Sequence, residues 1–151
     1  MADLSKEQWK ALLRSTKFFD IFDDHEIDKI ITFSDLLHFS MHKYIIKENE
    51  TDVSFYVIVK GHVNVISKSQ SPVDRKLSTI HTGECFGEMA VITHEPRKSD
   101  IIAGSDCYVA RINTATIDNF EESMQVKLYK QFSINLIKRL LSSSESSEKN
   151  K

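Results

Sequence analysis

The hydrophobic pattern starts in a helical rhythm and then changes. Trp9, Leu12 and Leu13 share one helical face, and Ile27, Ile30 and Ile31 give a second helix its buried stripe. A capping-box pattern precedes each run, Ser5 with Gln8 and Asp23 with Glu26, so side chains can satisfy the free N–H groups of a helix start. Phe18, Phe19, Ile21 and Phe22 form an apolar knot between the two helices. From about Leu36 the period falls to two, with Leu37, Phe39 and Met41 alternating with polar residues. Further strands are predicted at Tyr44–Ile46, Ser54–Val59, His62–Ile66, Leu77–Ile80, Ser99–Ala103 and Cys107–Ile112. Gly61 is read as a tight turn, and polar Ser67–Asp74 with Pro72 as a mobile hairpin tip. So many short strands point to a sandwich or a barrel.

Helix returns at the end. Asn113 or Thr114 can cap a short helix through Phe120. Met124, Leu128, Phe132, Leu136 and Leu140 then recur every fourth residue, with Ile137 and Leu141 widening the face. Residues 142–151 hold no large apolar side chain and predict a disordered tail. The division that follows is 1–35 for the N-terminal helices, 36–112 for the β core, 113–141 for the C-terminal helices and 142–151 for the tail.

Composition narrows the function classes. The 151 residues suit one domain with a core that needs neither disulfide nor structural metal. A formal net charge of −2 gives no general attraction to nucleic acid or to an anionic membrane. Cys85 and Cys107 read as reduced core thiols. The six histidines, His25, His38, His42, His62, His81 and His94, show no metal-ligand spacing, and no catalytic triad declares itself. We therefore expect no metal, no cofactor and no enzymatic activity. There is no signal-peptide pattern and no apolar run near the ~18 residues of a membrane span, so a cytoplasmic location is expected. The initial Met and the polar end suggest a complete chain.

The chemistry concentrates in Gly83–Asp100. Gly87 precedes a short helix-like run, Glu88–Ile92, and lets a ligand approach the backbone. Free N–H groups at a helix start suit a phosphate. Arg97 follows Pro96, and its guanidinium can fork onto two phosphate oxygens. A carboxylate beside a phosphate repels it, so Glu88 calls for a donor such as a ribose hydroxyl. Glycine, carboxylate and arginine together describe a sugar phosphate better than a bare phosphate.

Phe86-Gly87-Glu88-x-Ala90, followed by Pro96-Arg97-x-Ser99 with a nine-residue step from Glu88 to Arg97, resembles the phosphate-binding cassette of cyclic nucleotide-binding domains. Those domains occur in the regulatory subunits of cyclic-AMP-dependent protein kinase, in cyclic-nucleotide-gated channels and in catabolite-activator-type regulators. Ile45-Ile46 and Ser54 to Gly61 resemble the family's early strands, and Gly83 the glycine before the cassette. The resemblance covers roughly residues 18–120. It implies a mainly β fold with flanking helices: an eight-stranded antiparallel jelly-roll barrel with N-terminal helices and C-terminal lid helices. It also implies that Glu88 accepts the ribose 2′-hydroxyl and that Arg97 neutralises the cyclic phosphate. The N–H groups of Gly87, Glu88 and Ala90 would meet phosphate or ribose. Ser99 would add a hydroxyl or an N–H, and Phe86 and Met89 belong to the same segment.

The chain departs from the family in three places. Asn49 and Asp52 stand in a loop where relatives place glycines, and both tolerate left-handed backbone. His42 occupies a common glycine position. Lys98 stands where Ala is frequent in cAMP binders and Thr in cGMP binders; it would reach the phosphate or a purine edge as a ligand-binding residue, or pair with Asp100, the favoured reading. Tyr129, Phe132 or Leu136 of the last helix would cap the base, or the stripe would seal the barrel or pair with a second copy of the chain.

The reading is a cyclic mononucleotide sensor, cAMP ahead of cGMP, that signals to a partner protein through helix movement, with no direct nucleic-acid contact. The alternative is a degenerate fold that acts as an interaction module without nucleotide.

Overall fold

A computed structural model describes residues 4–66 and 77–149. Both predicted capping boxes form. Ser5 caps helix α1, Lys6–Ser15, and Asp23 caps helix α2, Asp24–Phe33, each with the reciprocal side-chain bond from the third helical residue. Between them Lys17–Phe19 makes one 3₁₀ turn that buries Phe18 and Phe19.

Eight strands follow in two antiparallel four-stranded sheets. They are β1 Asp35–Phe39, β2 Tyr44–Ile46, β3 Ser54–Lys60, β4 Val63–Ile66, β5 Leu77–Ile80, β6 Cys85–Phe86, β7 Asp100–Ala103 and β8 Cys107–Asn113. The first sheet has the order β1-β8-β3-β6 and the second β2-β7-β4-β5. Strand β3 shows how the layers arise. It is apolar from Phe55 to Val59, but its side chains alternate between two cores. Phe55, Val57 and Val59 join α1, α2 and the later helices, whereas Tyr56 and Ile58 join Ile46, Val63 and Ile101 between the sheets. The first sheet is thus covered on both faces. The second keeps an outer face on which Thr79 Oγ1 donates to Asn64 Oδ1 at 3.1 Å.

Glycine geometry fixes the β3–β4 turn. Gly61 has φ +96°, and a Cβ there would lie 2.3 Å from the Asp106 carbonyl oxygen. Left-handed backbone is also carried by His42 (φ 74°) and Asn49 (φ 72°). The His42 N–H donates to the Ala103 carbonyl at 2.8 Å, a bond that helps hold the strained turn.

After β8, Asn113 caps helix α4, Thr114–Asn119, by accepting from the Thr116 N–H at 2.9 Å. Helix α5 spans Glu122–Lys149, and Met124, Leu128 and Phe132 lay its buried stripe on the helical core.

Three expectations need correction. Among the described residues no strand ladder joins the two sheets into a closed barrel. The edge strands are too short for it, since β6 has two residues and β2 three with a register shift. The β core begins at Asp35 and includes β6, which lacks the length to show a period. The backbone of α5 stays helical past residue 141, where a disordered tail was expected. Ser, Glu and Lys weaken a helix little, and no Gly or Pro stops one already nucleated. The expected hairpin tip Ser67–Asp74 lies outside the described residues.

Candidate functional site

The site grows from Gly87. It ends β6, turns the chain with φ +84°, and starts helix α3, Glu88–Thr93, without a side-chain cap. A Cβ at this position would lie 2.9 Å from Arg97 Nη1 and 3.0 Å from the Ser54 carbonyl oxygen. Glycine is therefore required for both backbone shape and space.

Arg97 comes to this glycine through a backbone ladder. Its N–H donates to the Glu50 carbonyl at 2.8 Å, and its carbonyl accepts from the Asn49 N–H at 2.8 Å. The side chain is buried, at 6% exposure. Nη1 donates to the Gly87 carbonyl at 2.9 Å, and Nη2 donates to the Ser54 carbonyl and lies 3.4 Å from Asp52 Oδ2. Nε has no partner among the described residues. A buried guanidinium held mainly by neutral carbonyls retains the capacity to meet an anion.

Glu88 is 1% exposed. Its Oε1 accepts from Arg139 Nη1 at 2.8 Å and from Asn135 Nδ2 at 3.4 Å, whereas Oε2 has no partner among the described residues. Both partners come from α5, one turn apart. Asn135 also clasps the Cys85 backbone, accepting from its N–H at 3.2 Å and donating to its carbonyl at 3.1 Å. Arg139 Nη2 donates to the same carbonyl. Burial, and then the Glu88 charge, push the Cys85 thiol well above its usual range.

These residues border a half-open cavity of about 160 Å³. Phe86, Gly87, Glu88, Met89, Ala90, Arg97, Lys98 and Ser99 all line it, with an apolar wall of Ile46, Val65, Ile80 and Ile101. Phe86 is fully buried and stacks on Tyr56, ring centres 4.9 Å apart and planes 3° apart. Lys98 Nζ pairs with Glu95 Oε2 at 3.1 Å, not with Asp100. Lys98 precedes β7, so strand alternation does not align it with Asp100, whose carboxylate accepts from the Glu48 N–H at 2.8 Å.

Tyr129, Phe132 and Leu136 do not line the cavity. Phe132 is 1% exposed and packs edge-on against Phe55 at 4.5 Å. It belongs to the stripe that seats α5, and so faces away from the site. Arg139 reaches the cavity from α5 instead. The sequence reading missed Asn135 and Arg139. Their signal was a pair of polar residues at helical spacing beside Phe132 and Leu136. Among the described residues, no group of three His, Cys, Asp or Glu side chains is placed to hold a metal ion, and no helix is long and apolar enough to cross a membrane.

Comparison with known proteins gives this geometry a family. The family model of the cyclic nucleotide-binding domain matches residues 36–123. The cGMP-dependent protein kinase 2 of Homo sapiens is 31% identical over 127 residues, which take in 80% of this chain and 17% of the kinase. The cAMP-dependent protein kinase regulatory subunit of Emericella nidulans is 24% identical over 107 residues, 71% of this chain and 25% of that one. This chain thus spans a minor part of the length of these relatives. The regulatory domain of Toxoplasma gondii PKA, solved with cAMP, superposes with a TM-score of 0.68 at 25% identity, covering 84% of this chain and 49% of that one. A cyclic nucleotide-binding domain from Methylobacillus flagellatus gives a TM-score of 0.67 at 20% identity, covering 93% and 78%. The chain belongs to the cyclic nucleotide-binding domain family.

Proposed function

From that membership, we propose that the cavity takes a cyclic mononucleotide, with Arg97 against the cyclic phosphate and Glu88 on a ribose hydroxyl. One observation carries the reading. Two buried side chains of opposite charge border one cavity, and each keeps one polar atom without a partner among the described residues: Arg97 Nε, a donor, and Glu88 Oε2, an acceptor. Unsatisfied buried groups cost free energy, and a ligand with an anionic and a hydroxyl end would satisfy both. The N–H groups of Gly87, Glu88 and Ala90, and the Ser99 hydroxyl, would complete the contacts. The same orphan atoms disfavour the ligand-free interaction module, in which nothing would compensate them.

We place cAMP ahead of cGMP, because Lys98 offers no hydroxyl to a guanine and its ammonium is engaged with Glu95. The strand order of the two sheets suits a jelly roll. The output is helix movement. Arg139 holds Glu88 Oε1, so a ribose hydroxyl that recruits Glu88 would act directly on the contact that ties α5 to the site. The signal would pass to a partner protein in the cytoplasm. Exposed Val126, Ile137, Leu140 and Leu141 of α5 would serve that partner or a second copy of the chain.

Calorimetric titration of nucleotide-stripped protein with cAMP and, separately, cGMP tests the proposal. Micromolar or tighter binding of cAMP, weaker binding of cGMP, and a tenfold to hundredfold loss on Arg97→Ala are expected. The loss corresponds to a charge-assisted contact of about 1.5–3 kcal/mol. No heat with either nucleotide, or an Arg97→Ala variant of unaltered affinity, would reject the assignment.

A further inference from the structure

A second groove, with a volume of about 200 Å³, lies between the 3₁₀ turn, the Gly83–Glu84 corner and α5. Three lysines line it: Lys17 from the turn, and Lys130 and Lys138 about two turns apart along one side of α5. Lys17 and Lys138 line the same groove, and the Lys17 charge holds the Lys138 ammonium below the usual lysine range. Among the described residues, none of the three forms an ion pair, although this chain pairs Lys10, Lys29, Lys98 and Lys127 with carboxylates. Two carboxylates, Asp20 and Glu84, share the groove, and Glu84 Oε1 already accepts from the His81 N–H at 2.9 Å. The lining therefore carries one more cation than anions, and its three cations face one groove.

Like charges that face one groove repel, and an anion between them converts that repulsion into attraction. Each ammonium brings three donors, so a ligand with several acceptor oxygens uses the cluster better than a halide does. We propose that this groove is an anion site that takes a phosphate group, bridged by Lys17 and Lys138 with Lys130 as the third donor. Phe18, Ile21 and Ile134 give it an apolar wall against which the organic part of a phosphate monoester would rest. The site is separate from the Arg97 cavity and does not depend on what that cavity binds.

The test is thermal unfolding of the whole chain at constant ionic strength, with inorganic phosphate replacing chloride. A rise of roughly 2–4 °C at saturating phosphate is expected. The double variant Lys17→Gln/Lys138→Gln should melt above the parent in chloride, because the repulsion is gone, and should lose the phosphate-dependent rise. A rise of equal size in the double variant, which would place the phosphate elsewhere, overturns the proposal, as does no rise in the parent. Amide shifts in a parallel NMR titration should saturate at Lys17–Asp20 and near Lys138. Shifts confined to Gly87–Ser99 would contradict the site. Phenyl phosphate separates the two sources of the group: a larger rise identifies a monoester seated on the apolar wall, and an equal rise a free anion.

Discussion

Arg97 and Glu88 border the same cavity, but different parts of the molecule hold them. Arg97 is fixed by the carbonyls of Gly87 and Ser54 and by a backbone ladder to Asn49 and Glu50, all within the β scaffold. Glu88 is fixed by Asn135 and Arg139, side chains of one terminal helix. The first arrangement cannot change without disturbing the sheets. The second changes whenever α5 shifts. A site built this way sets a guanidinium fixed by the β scaffold beside a carboxylate whose partners belong to a helix.

The strongest way to break the comparison is to unseat α5. Phe132 is nearly fully buried against Phe55 and Phe18. Phe132→Ala should cost about 3–5 kcal/mol of stability, read by denaturant unfolding. If Phe132 instead capped a base, the variant would lose nucleotide affinity with little loss of stability, and the helix assignment would fail.

Breaking the anchor side costs less but goes further into the site. Gly87→Ala puts a Cβ on the Arg97 guanidinium and a side chain at φ +84°. We expect a loss of about 1–3 kcal/mol of stability, together with a nucleotide affinity at least as poor as that of Arg97→Ala. Retained affinity would mean that Arg97 does not need its carbonyl contact to Gly87.

The smallest effect sharpens the latch side. Arg139→Ala removes one of the two side chains that hold Glu88 Oε1 and spares every contact of Arg97. Amide exchange at Cys85, whose N–H donates to Asn135, should quicken by about tenfold, with no change in the loop at Asn49 and Glu50. Equal quickening in both regions would show that anchor and latch are one unit.

Local rules made much of this molecule legible in advance. Ser5, Asp23 and Asn113 announce their helices because a cap depends only on residues three positions away. Asn49 stands at a left-handed turn, as its glycine-like placement suggested, whereas Asp52 does not, and His42 takes the left-handed backbone that its residue type did not suggest. Gly87, Glu88 and Arg97 lie close in sequence and reach one cavity because α3 and the following loop are short. The extent of α5 was misjudged because composition measures how well a segment pays for folding alone, whereas a helix already nucleated by a buried stripe propagates into polar residues.

The sequence by itself determined the helix starts, most of the strands and the charged residues of the cassette, since each rests on neighbours within a few positions. Tertiary structure alone decided that β3 serves two cores, that the described strands divide into two four-stranded sheets, and that Asn135 and Arg139, not Phe132, reach Glu88 from α5. These contacts join residues about fifty positions apart. Whether a helix presents its apolar stripe or its polar flank to a cavity depends on its rotation against the rest of the fold, and no local pattern encodes that rotation.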